Sequence, residues 1–222
     1  MQGITRNGTL HYVGAAGLRS NIYTAELGAV GKASKSPVLA TDRFLNSNSA
    51  PAWSPDGRAL AYLSSRGRGQ DTIGSTVLVI RTVATGEERN ISLPKEVQTG
   101  NLVPAPRWFP DGQSILVFGY LPKGRGIFYR IGLANGKAEV IHEANGVSGN
   151  AGLGASVISA DGKAILYIAS PSDPFTGTTN LVRFELDNGR ETILKSGTSA
   201  APRHRRLNPG AAALTSVPSP RT

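Results

Sequence analysis

Three histidines, a recurring aspartate, frequent serines and one glycine-rich stretch are the residues whose chemistry reaches beyond packing. His11 falls in a strand pattern, His142 at a strand end and His204 in the tail, and none has a His or carboxylate at a metal-holding spacing. They read as ordinary strand and surface histidines. Serine is common, yet the Gly-x-Ser-x-Gly elbow that exposes a nucleophile is missing. The chain has no cysteine, which removes thiol catalysis, disulfides and cysteine-ligated zinc. The stretch NGVSGNAGLGAS, residues 145–156, carries Gly146, Gly149, Gly152 and Gly154 but no Gly-Lys-Ser/Thr ending and no following helix. It reads as a connection, not a phosphate loop. Asp56, Asp111 and Asp161 recur in Asp-Gly turns; spread one per unit, they are expected far apart, as turn residues and not as a calcium or acid–base set. No catalytic, cofactor-binding or metal residue is expected, and the reading is non-enzymatic.

The elements that carry these residues form a repeat. PAWSPDGRALAYLS (51–64) returns as PRWFPDGQSILVFG (106–119), SVISADGKAILYIA (156–169) and, more weakly, GITRNGTLHYVGA (3–15), at intervals of roughly 50 residues. Four positions before each turn glycine stand Ile4, Trp53, Trp108 and Ile158, and the turns are Asn7-Gly8, Asp56-Gly57, Asp111-Gly112 and Asp161-Gly162. Asp bonds its own backbone and Gly supplies the positive φ of a tight turn. An alternating apolar strand follows each turn. A third strand (NIYTAELG, TVLVIRTV, GIFYRIGL, NLVRFELD) then leads, in three units, through Thr85-Gly86, Asn135-Gly136 or Asn188-Gly189 to a fourth. These dipeptides predict two-residue hairpin turns.

Four antiparallel strands per unit cannot bury both faces, so neighbouring units must stack. The expected fold is all-β: a β-propeller of about four four-stranded blades, at 1–41, 51–93, 105–143 and 155–194, forming an incomplete ring. Trp53 and Trp108 are expected at the blade contacts, with Asp56, Gly57, Asp111, Gly112, Ile158, Asp161 and Gly162 as turn and core residues. Residues 195–222, rich in Pro, Ala, Ser and Arg, are expected to be a disordered tail. An open arc leaves an apolar flank that another chain can complete.

The repeats PAWSPDGRALAYLS with VLVIRTVATGEERNISL, and PRWFPDGQSILVFG with IFYRIGLANGKAEVI, resemble the TolB-type, WD40-like β-propeller repeat of bacterial proteins. The resemblance covers about residues 1–194 and implies a ring of six or seven blades, of which four fit here, so the chain is expected to be a fragment of such a propeller or an incomplete ring. Ile158 and Ala160 stand in the fourth unit where the pattern has Trp and Pro, and Arg6-Asn7-Gly8 shortens the first. It implies a scaffold that binds another protein or a neighbouring domain, and a periplasmic location, although Met1 to Val13 shows no signal peptide. The alternatives it implies are the substrate-gating propeller of a prolyl-oligopeptidase-type serine peptidase and the sensor domain of a larger bacterial regulator.

A formal charge of +9 first suggests nucleic acid. However, Arg203, Arg205, Arg206 and Arg221 all lie in the tail, and no aromatic-and-basic RNA motif occurs. Dedicated nucleic-acid binding is not expected, nor is a membrane span, since no apolar run reaches about 18 residues. The loops between second and third strands, which propeller geometry gathers on one face, carry Arg19, Arg66, Arg68, Lys123 and Arg125. They form the expected rim for an acidic protein partner, with no cofactor.

Overall fold

The computed structural model describes residues 3–4, 9–16, 19–28, 33–45, 47–66, 76–98, 105–146, 156–170 and 178–198. Among these residues sixteen strands fall into four antiparallel sheets, each joined in chain order. Blade 1 holds β1 (Gly3–Ile4), β2 (Thr9–Ala16), β3 (Arg19–Glu26) and β4 (Val38–Leu39). Blade 2 holds β5 (Asn48–Trp53), β6 (Ala59–Ser65), β7 (Thr76–Thr82) and β8 (Glu88–Ser92), followed by a single-turn helix, α1 (Lys95–Gln98). Blade 3 holds β9 (Arg107–Trp108), β10 (Ser114–Leu121), β11 (Arg125–Gly132) and β12 (Ala138–Ala144). Blade 4 holds β13 (Val157–Ile158), β14 (Ala164–Ala169), β15 (Thr178–Glu185) and β16 (Glu191–Thr198). The four blades do not close a ring; they form a partial propeller.

Side chains alternate across each sheet, so a second strand serves two interfaces at once. On β6, Leu60 and Tyr62 join Ile22 and Ala40 of blade 1, while Ala61 and Leu63 join Ile115 and Val117 of blade 3. On β10, Leu116 and Phe118 face blade 4, where Ile165, Tyr167, Val182 and Phe184 complete the cluster. Burying each of the Leu, Ile, Val and Phe side chains among them is worth about 1.5–3 kcal/mol. The three inter-blade cores are where the fold is held.

The turns between first and second strands share one construction. Gly57, Gly112 and Gly162 take φ of +72°, +67° and +71°, and each donates its N–H to the carbonyl three residues back, on Ser54, Phe109 or Ser159. Asp56 Oδ1 accepts from the N–H of Arg58 at 3.0 Å, Asp111 from Gln113 at 2.8 Å and Asp161 from Lys163 at 3.1 Å. Successive turns touch: a Cβ on Gly112 would lie 3.9 Å from Pro55 Cδ, and one on Gly162 3.3 Å from Pro110 Cδ.

The turns between third and fourth strands differ from the two-residue expectation. They are four-residue loops: Thr82 N–H bonds the Glu87 carbonyl, Gly132 that of Lys137 and Glu185 that of Arg190. Only Gly86, Gly136 and Gly189 take positive φ. Thr85, Asn135 and Asn188 instead accept a hydrogen bond from the backbone N–H two residues on, which closes the loop without a left-handed side-chain residue. Strand limits differ too. β5 opens at Asn48, which pairs with Ser64, and β16 continues through 195–198, placed in the tail by composition, because Ser196 Oγ donates to Asn180 Oδ1 and the ladder to β15 persists. Polar residues hold these ends, so apolar periodicity does not mark them.

Candidate functional site

Each blade's second strand ends, and its third begins, on the same face of the propeller. The connections between blades also lie there. β3 starts at Arg19, whose backbone alone is described, and Arg68 lies outside the described residues. The other three rim residues have different surroundings. The Arg66 guanidinium sits 3.4 Å from the centre of the Phe44 ring, and its Nη2 donates to Asn90 Oδ1 at 3.0 Å. Burial lowers its pKa. Arg125 Nη1 pairs with Glu143 Oε2 at 2.9 Å, each side chain about half exposed. Lys123 is exposed at the tip of a tight 3-10 turn over Pro122–Gly124, in the left-handed conformation with φ +63°. The structure therefore brings Arg66, Lys123 and Arg125 onto one face but gives them unequal freedom: Arg66 braces a turn, Arg125 has an acidic partner, and Lys123 projects.

Phe44 belongs to that braced turn. It takes φ +49°, is 53% exposed and precedes Leu45, 48% exposed. Buried Asn48 holds the turn, its Nδ2 donating to the carbonyls of Arg43 and Phe44 while Ser64 Oγ donates to its Oδ1 at 2.6 Å. On the same face α1 lies across β10, and Tyr129 of β11 donates its OH to Glu96 Oε2 at 3.0 Å. Burial and that carboxylate push the Tyr129 phenol up to about 12.

The strongest polar cluster was not expected from the sequence. His142 is not at a strand end but inside β12, with a side chain only 11% exposed. Its ring stacks on Phe184 at 3.9 Å and lies parallel to Phe128 at 6.0 Å. Its Nε2 is 2.8 Å from Glu191 Oε1 and 3.0 Å from Tyr167 OH, and Tyr167 OH donates to the same carboxylate oxygen at 2.6 Å. Burial lowers the imidazole pKa, opposed by Glu191 and Glu143; burial and Glu191 raise that of Tyr167. The signal lay in the repeat register. Tyr62 and Tyr167 are both fifth after a turn glycine, and Glu88 and Glu191 both second after the next one. In blade 2, Tyr62 OH and Thr41 Oγ1 likewise donate to Glu88 Oε1 at 2.8 and 2.7 Å. The pair is a repeated blade clasp, reached across the interface by Thr41 or by His142.

Asp56 and Asp111, expected far apart, line one depression of about 310 Å³ on the opposite face together with Trp108. Successive turns converge toward the propeller axis, and the turn contacts above bring them together; Asp161 lies outside it. Trp108 Nε1 donates to the Ala52 carbonyl of blade 2 at 3.0 Å, Trp53 packs on the blade 1–2 core and Ile158 on the blade 3–4 core. His11 is described by its backbone only, while His204 and Gly149, Gly152 and Gly154 lie outside the described residues. Among the described residues no three His, Cys, Asp or Glu side chains cluster as a metal site, and no helix is long and apolar enough to cross a membrane.

No family model matches the chain. Over 77 residues, 35% of the chain, it is 40% identical to the uncharacterized peptidase YuxL of Bacillus subtilis, a tenth of whose length it spans. TolB of Acinetobacter baumannii superposes with a TM-score of 0.59 at 20% identity, over 85% of this chain and 41% of that one. A TolB-type protein of Agrobacterium tumefaciens gives 0.63 at 18%, over 88% and 64%. The acylaminoacyl peptidase of Pyrococcus horikoshii gives 0.56 at 16%, over 88% and 32%. The chain thus spans less than two thirds of each. Its fold is that of the TolB-like β-propeller, in part.

Proposed function

We propose that the chain is a non-catalytic propeller scaffold whose face of second-to-third-strand loops docks an acidic segment of a protein partner. The observation that supports this is the gathering of Lys123, Arg125 and Arg66 on the face that also presents the exposed Phe44 and Leu45. Aromatic and arginine side chains on a rigid support are the composition of interface anchors, and rim cations govern the rate and salt dependence of encounter. Poly-glutamate is a suitable acidic probe. The wild-type chain is expected to bind it at low salt, and Arg68→Glu/Lys123→Glu/Arg125→Glu to weaken it about tenfold or more. Equal binding by both, or none by the wild type, rejects the reading. Arg66 is left unchanged because its replacement would also release Phe44.

The 40% identity to a peptidase over 77 residues favours a second reading, a propeller that gates a prolyl-oligopeptidase-type hydrolase. A Gly-x-Ser-x-Gly hydrolase domain in the same gene product would decide for it, and a kinase or helix-turn-helix domain for the regulator.

A further inference from the structure

Blade 4 turns one face to blade 3 and leaves the other uncovered by any described residue. The repeat register identifies what that face is made for. In blades 2 and 3 the fourth and sixth residues after the first turn glycine pack in the core shared with the following blade. In blade 2 these are Ala61 and Leu63, and in blade 3 Leu116 and Phe118, none more than 4% exposed. Their cross-strand partners toward the next blade, Leu78 and Phe128, are as deeply buried. The corresponding residues of blade 4 are Leu166, Ile168 and Leu181, equally apolar but partly exposed, with Val157, 53% exposed, opposite Leu166.

The face differs from those of blades 2 and 3 in the parts that grip a next blade of the ring. Pro55 and Pro110 reach the turn glycine of the following blade; the same position here is Ala160. Arg107 of blade 3 donates from Nε to the Ser156 carbonyl of blade 4; the same position is Ala52 in blade 2 and Val157 here, opposite Leu166, so in this respect the face differs from that of blade 3 alone. Beside the apolar centre stands a charge pair of both signs, Arg183 and Glu185, joined at 2.7 Å through Nε and Oε1. A surface with an apolar centre and adjacent opposite charges is complementary to itself across a two-fold axis, where residue i meets j and j meets i.

We infer that this face is a homodimer interface, on which a second copy of the chain packs its own blade 4, sheet against sheet, with Leu166, Ile168 and Leu181 at the centre and Arg183 of each copy opposite Glu185 of the other. Two sheets packed face to face at about 10 Å bury such a centre completely.

Sedimentation velocity on the full chain, between about 1 and 100 µM, tests this. The weight-average mass is expected to rise from that of one chain, 23.2 kDa, toward twice that value, and Ile168→Lys to remain a monomer with an unchanged circular dichroism spectrum. Arg183→Glu and Glu185→Arg are each expected to weaken association about tenfold or more, and an equimolar mixture of the two to restore it. Every chain in that mixture still lacks its internal ion pair, so recovery reports contact between copies alone. A wild-type chain of constant mass overturns the inference and leaves the face to some other covering. A dimer indifferent to Ile168→Lys, or a mixture as weak as its components, overturns it too.

Discussion

At the scale of single residues, the most consequential arrangement is the His142 imidazole held between Phe128 and Phe184 and bonded to Glu191 and Tyr167. Because burial lowers its pKa, the neutral ring binds the fold better than the charged one. Its stabilisation is complete above the unfolded-state value, about 6.5, and is lost as pH falls through the lower folded-state value. Groups facing it are Glu191, Tyr167 and Glu143. The expected outcome is that the thermal midpoint of the wild type falls more between pH 7.5 and pH 5 than that of His142→Gln, about 7.5 to 5 being the range in which a histidine titrates; parallel curves would deny His142 the role. Asp56 and Asp161, whose pKa values are lowered by Ser54 and Ser159 hydroxyls, act in a separate and more acidic window, below the ordinary carboxylate value. Trp108 is half-buried and anchored to Ala52, so Trp108→Ala is expected to cost roughly 3 kcal/mol, the low end of the range for large aromatic truncation, read as a shift in denaturant midpoint at constant slope.

At the scale of elements, the turns explain why so much of this fold is legible in the chain. A glycine at positive φ, an Asp bonding the N–H two residues on and an apolar strand starting at once are all local, and all three recur in the same order. What was not legible depends on partners distant in sequence. Glu88 and Glu191 look like solvated strand ends until the blade in front brings Thr41 or His142 to them. Arg66 looks like a rim cation until Phe44 and Asn90 are seen against it. Gly119 carries a similar lesson, for nothing in SILVFGYL says that a helix backbone will cross it. A Cβ there would lie 2.7 Å from the Glu96 carbonyl carbon, and main chain cannot swing aside. Gly119→Ala is expected to cost about 1–3 kcal/mol by overpacking, although Ala suits a strand at least as well as Gly. A midpoint equal to wild type would show that α1 does not rest on β10. Gly189→Ala is the contrasting case, with open space around its Cβ but φ +70°, and is expected to lose only the left-handed penalty of about 1–2 kcal/mol.

At the scale of the whole molecule, stability is a chain of nearest-neighbour contacts, because each blade touches only the blades beside it. Those contacts are unequal. The cores between blades 2 and 3 and between blades 3 and 4 include rows of Ile, Leu, Val and aromatic side chains from both sides. Between blades 1 and 2 the packing near the outer strand is interrupted by a cleft. One cause is the fourth strand. β4 is two residues long, against five in β8 and seven in β12, and where a longer strand would pack there is a cleft of about 370 Å³ lined by Val38, Leu39, Trp53 and Val83. Local opening follows such gradients in buried contact. Blade 1 is therefore expected to open below the global unfolding free energy while blades 2 and 3 stay shut, so that hydrogen exchange at Ile22 and Thr24 outpaces exchange at Phe128 and Ile131 by about tenfold or more, 1.4 kcal/mol per decade. Filling the cleft should shift the balance. Ser36→Leu, on its wall, is expected to slow exchange in β3 and leave β11 unchanged. Equal protection of β3 and β11 in the wild type would mean that the four blades unfold as one unit, and that inter-blade packing is more even than the short β4 and its cleft imply.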